Sequence, residues 1–424
     1  MAIELSIKTM ACIKLLLPLT ALLLAYGCSP VGAEMKVTCL DKQVPGQPSE
    51  DLGFSLAAAE NRVAIGEPSA NRVHLLQHDI GGEWKHLWTI THPKSAFLAN
   101  LRGFGFGYSV AMAGRHLIIG DYIETSENNP ERLLEKKRAG MDGWIRRSGV
   151  YLVDLQHSPP RMREILTTFM PSGSVYGFAV AMSTSHVAAS YAMLDRDPLL
   201  WRHGGVVVAP IESPDKAMLL TTPKPNQGPF YASSVALAGS TLIASISAAG
   251  VPPGALLTDL ESGIQRELLN QFPSSSISPP LVGLTGSLAV LSRSSGPIFD
   301  SPAAQVSSAA AAEVFQLVGS SPKPLAVVRP PGPISANHHM IAIAPTLRVW
   351  PPELKERRSP LKVVLIQADG AQQEWSLRDW KRSELMGPAQ AIAIGRTHLV
   401  VSRRAPSGSC RVFSVLIPSA KGPY

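Results

Sequence analysis

The sequence predicts an all-β fold built from one unit that recurs seven times, and three observations support this prediction. The 424 residues include 34 Gly and 36 Pro, which leave little room for long helices. Hydrophobic residues make up 45% of the chain and charged residues 17%, a balance that excludes wholesale disorder. The third observation is an internal repeat, and this repeat determines the predicted architecture.

The repeat consists of a small or aromatic pair, an apolar strand, a tight turn, a second apolar strand and a third strand. Its second copy, at 106–121 followed by GVYLVDL, shows the pattern most fully. One small residue of the first strand marks each copy, and the seven markers are Ala57, Ala111, Ala181, Ala236, Gly283, Ala342 and Ala393. The markers are about 56 residues apart on average, so the copies fill the chain after residue 33.

Each copy is expected to form a four-stranded antiparallel blade. The first two strands are joined by turns of hairpin length. Their apolar runs lack clean alternation, which is typical of strands that are buried on both faces. More polar stretches after the third strand, such as 83–90, 163–169 and 373–380, would form an outer strand. Radial repetition of such units predicts a seven-bladed β-propeller. A solenoid is the competing architecture, but it needs distinct polar caps, and the sequence shows none.

The repeat resembles FG-GAP units, the propeller repeats that are also found in integrin α-subunit heads. The resemblance rests on GYSVA at 107–111 with GVY at 149–151, and on FSLA at 54–57 with IGEP at 65–68. It implies a propeller with a binding role that resembles cell adhesion. Many family members carry an Asp-rich calcium loop between the first two strands, but the turns here are as short as AENR and AGRH. Calcium prefers six to eight oxygen ligands, so we expect neither calcium nor another cofactor or metal.

Residues 1–33 are expected to form a signal peptide that precedes a propeller at 34–424. Lys8 and Lys14 precede an apolar run at 15–27, and this run is too short to span a bilayer. Cleavage after Ala33 is one interpretation; the other is a lipobox that ends at Cys28, which would then carry a lipid. Both predict an exported protein that is secreted, periplasmic or held at the cell envelope, with membrane contact only through that lipid.

Cys39 and Cys410 are the two cysteines that remain near the ends of the mature chain. They could form a disulfide in an oxidising compartment, or they could be two unrelated buried thiols. Propellers commonly join an N-terminal strand to the last blade, and the β-prone run at 35–40 could supply that strand. Both cysteines would then lie on neighbouring strands of blade seven, which predicts a disulfide bond.

Insertions fall between the second and third strands of blades two, three, six and seven, and should therefore share one face. Loops on a rigid scaffold commonly carry binding residues. The candidates for partner binding are aromatic and basic, namely Trp144, Arg146, Arg147, Trp201 and Arg202. The loop of blade two balances its basic residues with acidic ones, and a net charge of +7 is modest, so we expect no nucleic-acid partner.

Motifs of catalysis are missing from the sequence, and no catalytic residue is predicted. The nearest approach to a nucleophile elbow, GSVYG at 173–177, has Val175 where the nucleophile would be. The leading hypothesis is therefore a non-enzymatic protein that binds a protein or glycan partner. Two alternatives stay open: an enzyme acting on polysaccharide through Asp121, Asp195 and Asp197, and a cell-envelope assembly scaffold anchored at Cys28. Three histidines at the start of second strands, His116, His186 and His398, are interpreted as polar strand-end residues.

Overall fold

The computed structural model describes most of the predicted strands. The described residues are 37–79, 82–93, 105–124, 146–170, 174–194, 201–220, 232–248, 251–269, 280–292, 311–317, 322–329, 333–337, 340–344, 362–367, 371–376, 389–403 and 410–417. Residues 1–33 lie outside them, so the signal peptide and the lipid on Cys28 remain predictions. Within the described segments, no helix combines the length and the apolar character needed to cross a membrane.

The described strands form seven four-stranded antiparallel sheets, as predicted, and each sheet is one blade. In each of the first four blades, the strands follow one another from the innermost strand outwards. Blade one consists of β2 (Leu56–Ala59), β3 (Arg62–Glu67), β4 (Arg72–His78) and β5 (Trp84–Thr91), and blade two of β6 (Phe106–Ala113), β7 (His116–Glu124), β8 (Arg146–Asp154) and β9 (Arg161–Glu164). Blade three consists of β10 (Ser174–Met182), β11 (His186–Leu194), β12 (Trp201–Pro210) and β13 (Met218–Leu220), and blade four of β14 (Val235–Ala238), β15 (Thr241–Ala248), β16 (Val251–Asp259) and β17 (Gln265–Leu269).

The remaining three blades follow the same order, except that the outermost strand of blade seven comes from the N-terminal part of the chain. Blade five consists of β18 (Leu281–Leu284), β19 (Leu288–Ser292), β20 (Ala312–Gln316) and β21 (Lys323–Val328), and blade six of β22 (Ile334–Ala336), β23 (Met340–Ile343), β24 (Lys362–Gln367) and β25 (Gln372–Ser376). Blade seven consists of β26 (Ala389–Ile394), β27 (His398–Arg403), β28 (Val412–Leu416) and β1 (Val37–Cys39). The helical elements in the described part are single 3-10 turns at Asp41–Gln43, Pro68–Ala70, Thr167–Phe169 and Pro214–Lys216.

The blades close into a ring because each innermost strand packs against the innermost strand of the next blade, and β26 packs against β2. Small marker residues such as Ala57 and Ala181 allow this crowding around the axis. Both faces of each sheet are buried against neighbouring blades; all five residues of β19, for example, are buried. The apolar core is therefore a set of clusters between blades, which explains why the strands lack alternating patterns.

The ring has two ends, which we name by their connections. The loop face is the end at which second strands lead to third strands and one blade leads to the next; Glu67 and Arg403 lie there. The hairpin face is the opposite end and carries the turns between first and second strands, such as 60–61 and 395–397. Since every blade repeats the same antiparallel path, all the insertions predicted from the sequence leave at the loop face.

Closure of the ring is confirmed. Strand β1 pairs with β28, with Cys39 opposite Phe413, and places Cys39 in a disulfide with Cys410 at a Cα–Cα distance of 5.8 Å. The carboxylate of Asp41 accepts hydrogen bonds from the backbone N–H groups of Arg411 and Val412, both at 2.8 Å. Burial raises the pKa of Asp41, although these two hydrogen bonds oppose that shift. A cross-link and a partly buried carboxylate thus hold together two segments that are 371 residues apart.

Two details of the predicted repeat are wrong. Ala342 lies on β23, the second strand of blade six, opposite Ser335 of the first strand β22. The error arises because β22 has only three residues and a serine at the marker position. In blade two the outer strand is Arg161–Glu164, whereas Thr167–Phe169, at the end of the predicted stretch, is a 3-10 turn.

Candidate functional site

Four aromatic side chains form a row at the loop face of blades one to three, and we call this set the aromatic row. Phe54, Tyr108, Tyr122 and Phe178 follow one another with ring centroids 4.9, 5.2 and 5.9 Å apart. Tilted and edge-to-face pairs of this kind are favourable beyond their buried area. Tyr122 and Phe178 are buried, whereas Phe54 and Tyr108 are partly exposed. The row therefore presents its open end at blades one and two.

Glycines in a left-handed conformation place three members of the row. Gly53, Gly107 and Gly177 have φ angles of +84°, +93° and +81° and immediately precede Phe54, Tyr108 and Phe178, respectively. Strands β6 and β10 show register shifts across these positions, as expected for a bulge. A Cβ on Gly107 would lie 2.9 Å from the carbonyl oxygen of Arg72. The repeated Gly-aromatic pair is thus a bulge that redirects the aromatic side chain.

Serines that follow the aromatic residues fix the row to the next blade. The Ser55 hydroxyl donates to the carbonyl of Gly107 at 2.7 Å, and the Ser109 hydroxyl donates to the carbonyl of Gly177 at 2.8 Å. Each bond joins the bulge region of one blade to the bulge glycine of the next. The aromatic row is therefore rigidly positioned across three blades.

A buried carboxylate holds the segment that leads into Phe54. Glu67 is fully buried and accepts hydrogen bonds from the Nε of Arg72 at 2.5 Å, the backbone N–H of Ser49 at 2.5 Å and the Nε2 of His74 at 2.9 Å. Burial by itself would raise the pKa of Glu67, but the hydrogen bonds from His74, Arg72 and Ser49 outweigh it and lower the pKa to about 2. The carboxylate is thus ionised at neutral pH and anchors the segment around Ser49.

The same carboxylate begins a hydrogen-bond chain across blade one. An ionised carboxylate can only accept, so His74 donates from Nε2, and its Nδ1 lies 3.2 Å from the hydroxyl oxygen of Thr89. The hydroxyl of Thr89 also contacts the Nε2 of His86 at 3.0 Å. A hydroxyl, an imidazole and a carboxylate in this order can activate a nucleophile. Here the chain joins β3, β4 and β5, and we assign it a structural role.

The residues predicted for partner binding lie at the loop-face ends of two adjacent blades. Arg146 and Arg147 begin β8, where Arg146 pairs with Glu124 of β7. Trp201 and Arg202 begin β12, where Trp201 pairs with Leu194 of β11. The backbone positions of these four residues are described, whereas Trp144 lies outside the described residues. The strand ends belong to blades two and three, which also carry most of the aromatic row.

Asp121, a carboxylate considered for polysaccharide chemistry, is enclosed by the fold. It is fully buried, and its Oδ2 lies 3.4 Å from the Nε2 of His92, which also contacts the hydroxyl of Tyr151 at 2.8 Å. Asp195 and Asp197 lie outside the described residues. Because Asp121 is shielded from bulky substrates, it does not support a carboxylate pair at the loop face.

Among the described residues, one cluster brings together three potential metal ligands, Cys39, Asp41 and Cys410. Both of its sulfur atoms belong to the disulfide and are not available as thiolates. The three strand-end histidines lie where predicted, at the starts of β7, β11 and β27. His398 differs from the other two because its side chain is buried against blade one.

Sequence reasoning missed the aromatic row, although its signal was present. The Gly-aromatic pair recurs at 53–54, 107–108 and 177–178, but it was interpreted only as part of the repeat and of its resemblance to FG-GAP units. The buried roles of Glu67 and Asp121 had no comparable signal, because their partners come from other strands.

Comparisons with known proteins agree with the fold. No protein-family model matches the chain, and no curated protein matches it. Among solved structures, it is similar to the WD40 repeats of RRP9, with a TM-score of 0.50 and 10% identity over 90% of this chain and 99% of that chain. It is also similar to an ancestral GH74 enzyme, with a TM-score of 0.50 and 12% identity over 88% of this chain and 49% of that chain. Identities this low establish the fold alone, and the protein is a seven-bladed β-propeller.

Proposed function

We propose that this protein is an exported, non-enzymatic propeller that binds a protein or glycan partner through the loop face of blades one to three. The aromatic row carries this proposal. Phe54 and Tyr108 offer partly exposed rings on a rigid support, and such rings lose little conformational entropy when they bind. Arg146, Arg147, Trp201 and Arg202 begin strands at the same end of blades two and three, and aromatic residues with Arg are the usual anchors of interfaces.

The path of the N-terminal segment supports the same assignment. Val37 pairs with Val415, near the end of β28 that lies at the hairpin face, so the described part of the chain begins at that face. Cys28 is nine residues before Val37 and can be at most about 30 Å from it. A lipid on Cys28 would therefore hold the hairpin face toward a membrane, and the loop face would point outward to a partner.

The motif that builds the aromatic row is also the motif that resembles FG-GAP repeats. The bulge glycine, the aromatic residue and the bridging serine at 107–109 are its best copy. We therefore extend the proposal to an adhesion-like role, in which the loop face recognises a macromolecule outside the cell. Calcium has no part in it, since the short turns lack a set of carboxylates.

Site-specific photo-crosslinking tests the proposal. A benzophenone amino acid at Tyr108 should give discrete crosslinked products in the native cell envelope, whereas the same group at Gln156, on the hairpin face, should not. Once mass spectrometry identifies the partner, Tyr108→Ala should weaken its binding at least about tenfold, as for an interface anchor. Gln156→Ala is the matched control and should bind normally.

Two further measurements make the outcome decisive. Replacing the insertions of blades two and three with short turns should abolish binding while the far-UV circular dichroism and melting temperature stay close to those of the parent protein. Equal crosslinking from Tyr108 and Gln156, or full binding by the loop-replaced protein, would place the partner elsewhere and refute the assignment.

A further inference from the structure

A small cavity of about 140 Å³ lies between blades seven and one at the hairpin face, on the opposite side of the ring from the aromatic row. The side chains that line it include Thr38, His78, Trp84, His398, Ser414 and Leu416. We call it the seam cavity, because blade seven is closed here by β1. Its location makes it independent of the proposed loop-face function.

The pairing of strands explains how the cavity is built. Thr38 lies opposite Ser414, and His398 lies opposite Leu416, so these four residues share one face of blade seven. Blade one closes the cavity with its outer hairpin, in which His78 pairs with Trp84. The two blades meet above the cavity in an apolar cluster that includes Trp84.

Three rings form one wall of the seam cavity. The ring centroids of His78 and His398 are 4.1 Å apart, those of Trp84 and His398 are 5.3 Å apart, and those of His78 and Trp84 are 5.2 Å apart. The hydroxyl of Thr397 contacts the Nδ1 of His398 at 2.7 Å and fixes the orientation of that ring. This wall combines apolar ring surface with imidazole nitrogens.

The face of blade seven that carries His398 also holds a buried hydroxyl and forms a second wall. Ser414 is 2% exposed, and its Oγ has no hydrogen-bond partner among the described residues. A buried hydroxyl without a partner is unfavourable, and each such group in a native protein calls for an explanation. Oγ is enclosed in this structure, so a rotation of the Ser414 side chain that turns Oγ to the cavity would let a ligand there supply a hydrogen bond and remove this cost. The hydroxyl of Thr38, directly opposite on β1, is a second polar group on the same wall.

The lining also restricts the charge of a ligand. Its described residues contribute hydroxyl, imidazole, indole and aliphatic groups, and no carboxylate, ammonium or guanidinium. Burial, and then the neighbouring His78, lower the pKa of His398 to about 4, so its ring is neutral at physiological pH. An ion would leave water for a site without a counter-charge, which is unfavourable.

We propose that the seam cavity binds a neutral sugar ring, either a free monosaccharide or the terminal residue of a glycan. The C–H face of a sugar suits the wall of three rings, and its hydroxyl groups suit Ser414, Thr38 and the imidazole nitrogens. The cavity is of the size of a single sugar ring.

Saturation-transfer NMR with glucose, galactose, mannose and N-acetylglucosamine, each added separately to the full chain, tests this proposal. At least one sugar should give a saturable signal, and Ser414→Ala should weaken its binding by at least about tenfold, the loss that corresponds to a good hydrogen bond. Ser185→Ala, an exposed serine on the same face, is the control and should bind normally. A glycan array then separates the two sources, since a terminal-residue site should select glycans that end in the sugar identified by NMR.

A second variant separates binding from folding. Thr38→Val keeps the shape of the side chain and removes only its hydroxyl, so it should also weaken sugar binding. Both variants should retain the melting temperature of the parent protein. Ser414→Ala should be at least as stable as the parent, because it removes an unpaired hydroxyl. Absence of a saturable signal for all four sugars, or unchanged binding by both variants, would overturn the proposal and leave a cavity that holds only water.

Discussion

Blades one and two differ from blades three and four at one position of the repeat, the residue of the second strand that faces the bulge. Blades one and two have Gly66 and Gly120 there, whereas blades three and four have Ser190 and Ser245. A Cβ on Gly120 would lie 2.0 Å from the carbonyl oxygen of Gly177, so no side chain fits. The glycine lets the bulge of the next blade approach closely enough for Ser109 to bridge the two blades.

The serine blades form a different hydrogen bond at the same position. The hydroxyl of Ser190 bonds the N–H and the carbonyl of Ala179 at 3.0 and 3.1 Å, within its own blade. Ser245 likewise accepts from the N–H of Ser234 at 3.0 Å. The glycine leaves room for a bond to the bulge carbonyl of the next blade, whereas the serine at this position adds a bond within its own blade.

The largest expected effect comes from adding a side chain in the glycine arrangement. Gly120→Ala would place a methyl group within 2.2 Å of the Ser109 hydroxyl and 2.0 Å of a backbone oxygen, so the backbone must move. We expect a loss of about 3 kcal/mol in the free energy of unfolding, measured by urea denaturation.

Gly286→Ala is the matched control for that substitution. A Cβ at Gly286 would meet no atom within 4 Å, and the residue is not in the left-handed region, so stability should change by less than about 0.5 kcal/mol. Equal losses from the two substitutions would mean that close approach of the blades does not explain the glycine.

An intermediate effect is expected from the serine arrangement. Ser190→Ala removes a fully buried hydroxyl and leaves the N–H of Ala179 without its side-chain acceptor. We expect a loss of about 2 kcal/mol in the free energy of unfolding, because a buried group left without a partner costs more free energy than one hydrogen bond contributes on average. Ser185→Ala, at an exposed turn, should change stability by less than about 0.5 kcal/mol. A loss for Ser190→Ala no larger than that of the control would remove the distinction between the two arrangements.

These two arrangements also indicate what the sequence could predict. The number of blades, the closing strand and the pairing of Cys39 with Cys410 followed from small-residue spacing, turn lengths and the position of the two cysteines. These features depend on local sequence pattern and on a general rule of ring closure, so they could be predicted from the sequence. The first strand of blade six was missed because its serine broke the local pattern.

The candidate site was harder to predict, because its key contacts join distant parts of the chain. The Ser109 hydroxyl reaches a carbonyl 68 residues away, and Asp121 is enclosed beside His92 of the preceding blade. Asp121 follows Gly120 at the end of the predicted strand, although the observed strand continues to Glu124, and it therefore resembled an exposed loop-face carboxylate. Burial of that kind depends on how two blades pack, which no single copy of the repeat encodes.

The smallest expected effect concerns the bridging serine itself. Ser109→Ala removes the donor to the carbonyl of Gly177 but creates no clash, and a carbonyl that loses one partner costs less than an orphaned N–H. The expected loss is about 1 kcal/mol in the free energy of unfolding, clearly less than for Gly120→Ala. In a double-mutant cycle the two substitutions should be non-additive, since both act on the approach of Gly177 to blade two. Full additivity would show that Gly120 and Ser109 act separately. The glycine arrangement would then not be a single contact between neighbouring blades.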